Sequence, residues 1–182
     1  MAQSPTSDRS GRPRHGIPRG LILAGVLSAS VVLSLIATFT WTPTVPAVTF
    51  ISIKGEKISA ADLRGRVALI NFWATDCPVC IKEMPEMVRT YDLYRERGLE
   101  FIAIAMRHDP PNRVIHYAES NRLPFRVALD PMGELASAFG SVTFTPTTFV
   151  IDRRGRIVLK IAGEPDFAKL RRLLEEKLAE PA

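Results

Sequence analysis

The chain has 182 residues, of which 46% are hydrophobic and 24% charged; this suits one globular domain with a short extra segment and excludes a disordered or collagen-like chain. The formal net charge of +5 is no binding face, because Arg9, Arg12, Arg14 and Arg19 against Asp8 supply +3 of it within residues 1–20. Beyond them the two signs interleave, so no nucleic-acid partner is indicated.

In chain order, residues 1–20 read as a basic cytoplasmic tail. Leu21 to Trp41 is almost wholly apolar, and at 1.5 Å per residue such a run covers about 31 Å, enough to cross a bilayer core. The preceding arginines favour a cytoplasmic N-terminus, which makes 21–41 a transmembrane signal-anchor rather than a cleaved signal peptide, whose apolar region is shorter. Pro43 and Pro46 make 42–47 an extended linker, and residues 48–182 form the globular domain outside the cytoplasm.

Within that domain, Ile51, Ile53 and Ile58 around Lys54-Gly55-Glu56 predict a short hairpin, and Ser59-Ala60-Ala61-Asp62 a helical cap. Val67 to Phe72 is a continuous apolar run, as in a strand covered on both faces. Ile81, Met84, Val88 and Tyr91 then recur at helical spacing, with Pro85 expected to kink the helix. A second buried strand is expected at Phe101–Ala105, a helix from Arg113 to Asn121, a strand at Val127–Leu129 and a short helix from Met132 to Phe139. Thr147–Ile151 and Ile157–Ile161 flank the turn Asp152-Arg153-Arg154-Gly155, and Phe167, Leu170, Leu174 and Leu178 stripe a last helix. Strands alternating with helices and ending in a hairpin plus helix predict an α/β fold with a mixed sheet.

The two cysteines sit together in Cys77-Pro78-Val79-Cys80, between a strand and a helix N-terminus. Two cysteines cannot staple a scaffold, and with His15, His108 and His116 each isolated no four-ligand metal set can be assembled. A helix N-terminus stabilises a thiolate on the first cysteine, and the second is one turn away to resolve a mixed disulfide. The rival structural role is disfavoured because so short a loop gains little from closure.

Asn71-Phe72-Trp73-Ala74-Thr75-Asp76-Cys77-Pro78-Val79-Cys80, Lys82-Glu83-Met84-Pro85 and Thr145-Pro146-Thr147-Thr148-Phe149-Val150-Ile151-Asp152 resemble the thioredoxin superfamily, in the branch of TlpA/ResA-like membrane-anchored thiol-disulfide oxidoreductases of bacteria. The resemblance spans residues 48 to 182. It implies a thioredoxin fold with an N-terminal β-hairpin and a central insertion, carried on the outer face of the bacterial inner membrane. It implies that Cys77 attacks and Cys80 resolves, that Pro146 is cis, and that Thr145, Pro146 and Trp73 meet the substrate. The redox-active disulfide would serve in place of any cofactor, with no metal. The partners would be protein thiols or disulfides and a redox protein that recycles the pair, with apocytochrome haem-attachment thiols as candidate substrates.

Four positions modulate this expectation. Asp76 stands where the branch usually has Trp, and a carboxylate beside Cys77 works against its thiolate unless it merely caps the helix or faces solvent. Pro78 follows the first cysteine, as in glutaredoxins and DsbA-like oxidants, whereas many thioredoxin-like reductases have proline before the second. Asn71 replaces the buried acid of thioredoxin. Glu83 reads as a surface ion pair, with a proton-accepting role one helical turn after Cys80 as the alternative. Met84, Met87 and Met106 read as core filler. Two other functions compete: a thiol peroxidase, disfavoured because Thr75 stands two rather than three residues before Cys77, and a non-catalytic module that holds a partner or metal.

Overall fold

A computed structural model describes residues 43–181. The expected cytoplasmic tail and the 21–41 anchor lie outside the described residues. Among the described residues, no helix is long and apolar enough to cross a membrane.

The chain opens with the expected hairpin, β1 (Thr49–Ile51) paired antiparallel to β2 (Lys57–Ser59). Its turn is built on Ser52, whose Oγ accepts from the backbone N–H of Lys54 at 3.2 Å and of Glu56 at 3.1 Å, with Gly55 at φ +81°. Ser59 then caps a short 3-10 turn, Ala60–Leu63, in a full capping box with Asp62.

Strands β3 (Val67–Trp73), β4 (Leu99–Ala105), β5 (Arg126–Leu129), β6 (Thr147–Ile151) and β7 (Ile157–Ala162) form one sheet in the order β5-β4-β3-β6-β7. Strand β3 is central and buried along its whole length. It pairs parallel with β4 and antiparallel with β6, giving the mixed sheet expected. Helices α1 (Pro78–Tyr94), α2 (Pro111–Ser120), α3 (Glu134–Ala138) and α4 (Phe167–Ala179) complete the domain. Helix α2 starts two residues before the expected position because Pro111 fits a first turn that needs no N–H. Helix α1 runs through Pro85 as one element. Helix α3 is shorter than expected, because Gly133 at φ +75° stands outside it and the buried Asp130 carboxylate accepts from the N–H of Leu135 and Ala136.

Side chains of a strand alternate between faces, and β3 divides its own accordingly. Val67, Leu69 and Trp73 face a core shared with Met84 and Met87 of α1, Val114 of α2 and Leu170, Leu174 and Leu178 of α4. Ala68, Ile70 and Phe72 face a second core closed by Phe50 and Ile58 of the hairpin and by Leu135 and Phe139 around α3. Met84, Met87 and Met106 are core filler, as expected.

The described part of the expected extended linker is held to the domain. Val45 donates its N–H to Gly155 O at 2.8 Å, Ile157 donates to Pro43 O at 2.7 Å, and Val45 and Val48 pack on the second core. Residues 43–48 are therefore laid against the β6–β7 turn. Asp152 organises that turn: its side chain is 1% exposed and accepts from the N–H groups of Arg154 and Arg156 and from the Arg156 guanidinium. Burial opposes the charge, yet these donors and Arg156 hold the carboxyl below its ordinary range. A group with a depressed folded pKa stabilises above its unfolded value, near 3.9, and loses that contribution as pH falls through the folded one. Asp152→Ala is expected to cost about 2–4 kcal/mol at pH 7, and clearly less at pH 3, in urea unfolding followed by circular dichroism.

Candidate active site

All the sequence features with redox chemistry meet at the C-terminal ends of β3 and β4. Beyond β3, Trp73 O accepts from Met106 N at 3.0 Å, and Cys77 N donates to Ala74 O at 3.3 Å, which turns the chain into α1. Pro78 takes the first helical position. Cys77 is the N-cap, and its Sγ accepts from the Cys80 N–H at 3.2 Å. An amide of the first turn thus points at the sulfur that would carry charge, and the helix dipole adds to it.

Cys77 and Cys80 are joined in a disulfide with Cα atoms 5.3 Å apart. Cys77 is half-buried, Cys80 fully buried, and Pro78 and Val79 between them are exposed. One sulfur is therefore presented to a partner and the other is reached only from within. The Thr145–Pro146 peptide is cis, as the resemblance implied. Thr147 pairs with Phe72 in the β3–β6 register, which brings Pro146 to the end of β3 from which the cysteine loop departs. Pro146 is buried and Thr145 half-exposed, with Phe144 60% exposed beside it.

Behind the cysteines lies a buried polar group. Asn71 projects from β3 toward α1, where its Nδ2 donates to Glu83 Oε1 at 3.3 Å and to Thr148 Oγ1 at 3.0 Å. Glu83 is 1% exposed, so the expected surface ion pair is corrected; that pair belongs to its neighbour, Lys82 with Glu164, at 2.9 Å. Burial pushes the Glu83 carboxyl up to about 8, against the Asn71 hydrogen bond and with a smaller push from Glu164. Glu83 Oε2 and Asn71 Oδ1 have no hydrogen-bond partner.

Trp73 is also corrected as a substrate contact. It is 0% exposed and packed against Tyr117 with ring centroids 5.3 Å apart, so it shapes the core beneath the site. Asp76 is neither cap nor buried: it is exposed, with Oδ1 3.4 Å from His108 Nε2.

Sequence reasoning missed Asp109. This carboxylate is 5% exposed and accepts from the Thr75 N–H and the Thr75 hydroxyl, both at 2.6 Å. It clamps the loop after β4 onto the residue two before Cys77. The only local signal was an Asp preceding Pro110-Pro111, which reads as an ordinary turn.

The Redoxin family matches residues 41–174. The thiol-disulfide oxidoreductase ResA of Bacillus thuringiensis subsp. konkukian is 35% identical over 124 residues, covering 68% of this chain and 70% of that protein. ResA of Geobacillus kaustophilus is 33% identical over 132 residues, covering 72% and 75%. Among solved structures, a thiol:disulfide interchange protein of the thioredoxin family from Chlorobium tepidum superposes with a TM-score of 0.70 at 30% identity, covering 77% of this chain and 99% of that one.

Glu83 makes the stability of the fold depend on pH. Its folded pKa is raised, so between the unfolded value near 4.5 and about 8 the unfolded state gives up a proton that the folded state keeps, and stability falls as pH rises. Glu83→Gln is expected to remove that slope and to be more stable than the parent at pH 8 by several kcal/mol, since each tenfold change in proton affinity is worth about 1.4 kcal/mol. Urea unfolding of the oxidised protein from pH 5 to 9 measures it; parallel curves for the two proteins would contradict it.

Proposed function

The chain belongs to the Redoxin family and is a thiol-disulfide oxidoreductase of the ResA type, and on that premise we propose that it is a membrane-anchored reductase of protein disulfides working outside the cytoplasm. The observation that carries the reading is the asymmetric pair: a half-exposed Cys77 capping a helix, with Cys80 buried behind it and cis-Pro146 at the same end of the sheet.

In the reduced protein the Cys77 thiolate attacks one sulfur of a substrate disulfide. The substrate bond breaks, a mixed disulfide forms, and the first substrate sulfur leaves as a thiolate. Cys80 then loses its proton and attacks Cys77 Sγ, which forms the internal disulfide and releases the second substrate sulfur. Two electrons pass to the substrate, and two protons complete its thiols. Glu83 stands one turn beyond Cys80 on the same buried face of α1, and it accepts the Cys80 proton. A carboxyl raised to about 8 is matched to a thiol, whose ordinary pKa is near 8.5. Thr145, beside the cis bond, offers its backbone to an extended substrate segment.

The anchor is Leu21–Trp41, with the arginines of residues 1–20 on the cytoplasmic side. A dithiol in an oxidising compartment stays reduced only with an electron supply, so a redox partner in or at the membrane recycles the pair. The resemblance extends the substrates to apocytochrome haem-attachment thiols, which must be reduced before haem is joined.

Cys80→Ser is expected to accumulate a mixed disulfide between Cys77 and its substrates, visible as reducible higher-mass species, and Cys77→Ser to form none. Acid quench and thiol alkylation of intact cells should find the pair mostly reduced, in a membrane fraction that resists carbonate extraction. A mostly oxidised pair would overturn the reductase direction, and extraction by carbonate the anchor.

A further inference from the structure

Beside the cysteine loop, a groove of about 450 Å³ opens at the same end of the sheet. Three segments line it: 106–108 after β4, then Met132, Gly133, Ala136 and Ser137 around the start of α3, and last Ser141, Val142 and Thr143 with Thr145. The groove is thus continuous with the residue proposed to pair with substrate backbone. Its lining contains no Asp or Glu, and its ionisable members are Arg107 and His108.

Among the nearby carboxylates, Glu134 is exposed at the start of α3 and stands outside the groove lining, and the others are engaged elsewhere. Asp130 is 3% exposed and accepts from Leu135 N at 3.1 Å and Ala136 N at 2.8 Å. Asp109 is bound to Thr75, and Asp76 stands against His108. Among the described residues, Arg107 has no ion-pair partner. Its position is nonetheless defined, because its stem crosses Gly133: a Cβ there would come within 3.3 Å of Arg107 Cδ, and the φ of +75° also favours glycine. A bare glycine leaves room for an arginine to stand at a groove with no anion of its own. Met132, 74% exposed, gives the groove an apolar rim.

We propose that this groove receives the polypeptide flanking the substrate's reactive cysteine, and that Arg107 selects an acidic side chain in that flank. An extended segment pairing at Thr145 advances about 3.3 Å per residue, so positions two to four residues from the substrate cysteine sample about 7–13 Å along the groove. Arg107 meets the selected carboxylate as a charge-assisted donor. Specificity then arises from the flank, while the cysteine chemistry is common to all substrates. The inference rests on the oxidoreductase reading of the neighbouring pair.

The test uses the reduced full chain in detergent and cysteine peptides blocked as mixed disulfides with a small uncharged thiol. The peptides carry Glu, Gln or Lys at two, three or four residues from the cysteine. The second-order exchange rate constant is expected to favour the best Glu peptide over its Gln counterpart by roughly five- to ten-fold, in the range of one charged contact. R107Q should abolish this preference and R107E should invert it toward Lys, while Arg172→Glu, on the exposed side of α4, should retain it. Equal rates for the three peptide types, or a Glu preference that survives in R107Q or R107E, would overturn the assignment to Arg107. Failure of the parent protein to exchange with bis(2-hydroxyethyl) disulfide, a small uncharged substrate, would instead sink the oxidoreductase reading itself.

Discussion

The double pairing of β3 is the constraint on which the rest of the structure depends. Parallel pairing with β4 ends with Trp73 opposite Ala105, and antiparallel pairing with β6 ends with Phe72 opposite Thr147. The two registers stop at the same level, so three loops leave the sheet together: the one with the cysteines, the one with Asp109, and the one with cis-Pro146. A shift of one residue in either pairing would turn the inward side chains outward. Both faces of β3 are buried, with Val67, Leu69 and Trp73 in one core and Ala68, Ile70 and Phe72 in the other, so such a slip would carry each set into the core packed for the other and is strongly opposed. The site inherits its precision from this apolar packing.

One position on β3 departs from that apolar rule. Asn71 stands opposite Thr148 in the register and on the face that α1 covers, which lets a single side chain connect β3, β6 and α1. A buried amide with an unpartnered oxygen, next to a buried carboxyl with an unpartnered oxygen, is costly unless it serves something. The pair joins β3 to α1 at the helical turn that follows Cys80. A neutral, protonated Glu83 lowers the cost of that burial, in keeping with a carboxyl pushed up to about 8.

Features set by neighbouring residues were legible in the sequence. The Lys54-Gly55-Glu56 turn, the Ser59–Asp62 capping box and the stripe Leu170, Leu174, Leu178 each need only a few residues of context, and each stands as expected. The cis-proline was legible only through resemblance, since an isolated X-Pro bond carries a strong trans preference. What failed was long-range. Glu83 follows Lys82 on an amphipathic helix and so reads as solvent-facing; its burial depends on how α1 is rotated against Asn71, twelve residues earlier. Asp109 reaches back 34 residues to Thr75. The docking of residues 43–48 likewise depends on the β6–β7 turn more than a hundred residues later, which no local pattern encodes.

The two carboxylates flanking the cysteine pair differ most in their access to water. Asp76 is next to Cys77 in sequence and opposes its thiolate, but its side chain is 59% exposed and faces His108, so solvent and a partner both screen it. Exposed charge pairs are worth about 0–1 kcal/mol. Glu83 is farther along the helix but buried, and a displacement from 4.5 to about 8 corresponds to several kcal/mol between its two protonation states, at about 1.4 kcal/mol for each tenfold change in proton affinity. The exposed Asp76 stands on the side from which Cys77 is approached. Behind the pair stand the Cys80 amide on Cys77 Sγ and the buried acid. A solvated carboxylate and a desolvated one are thereby held on opposite sides of the same helix terminus.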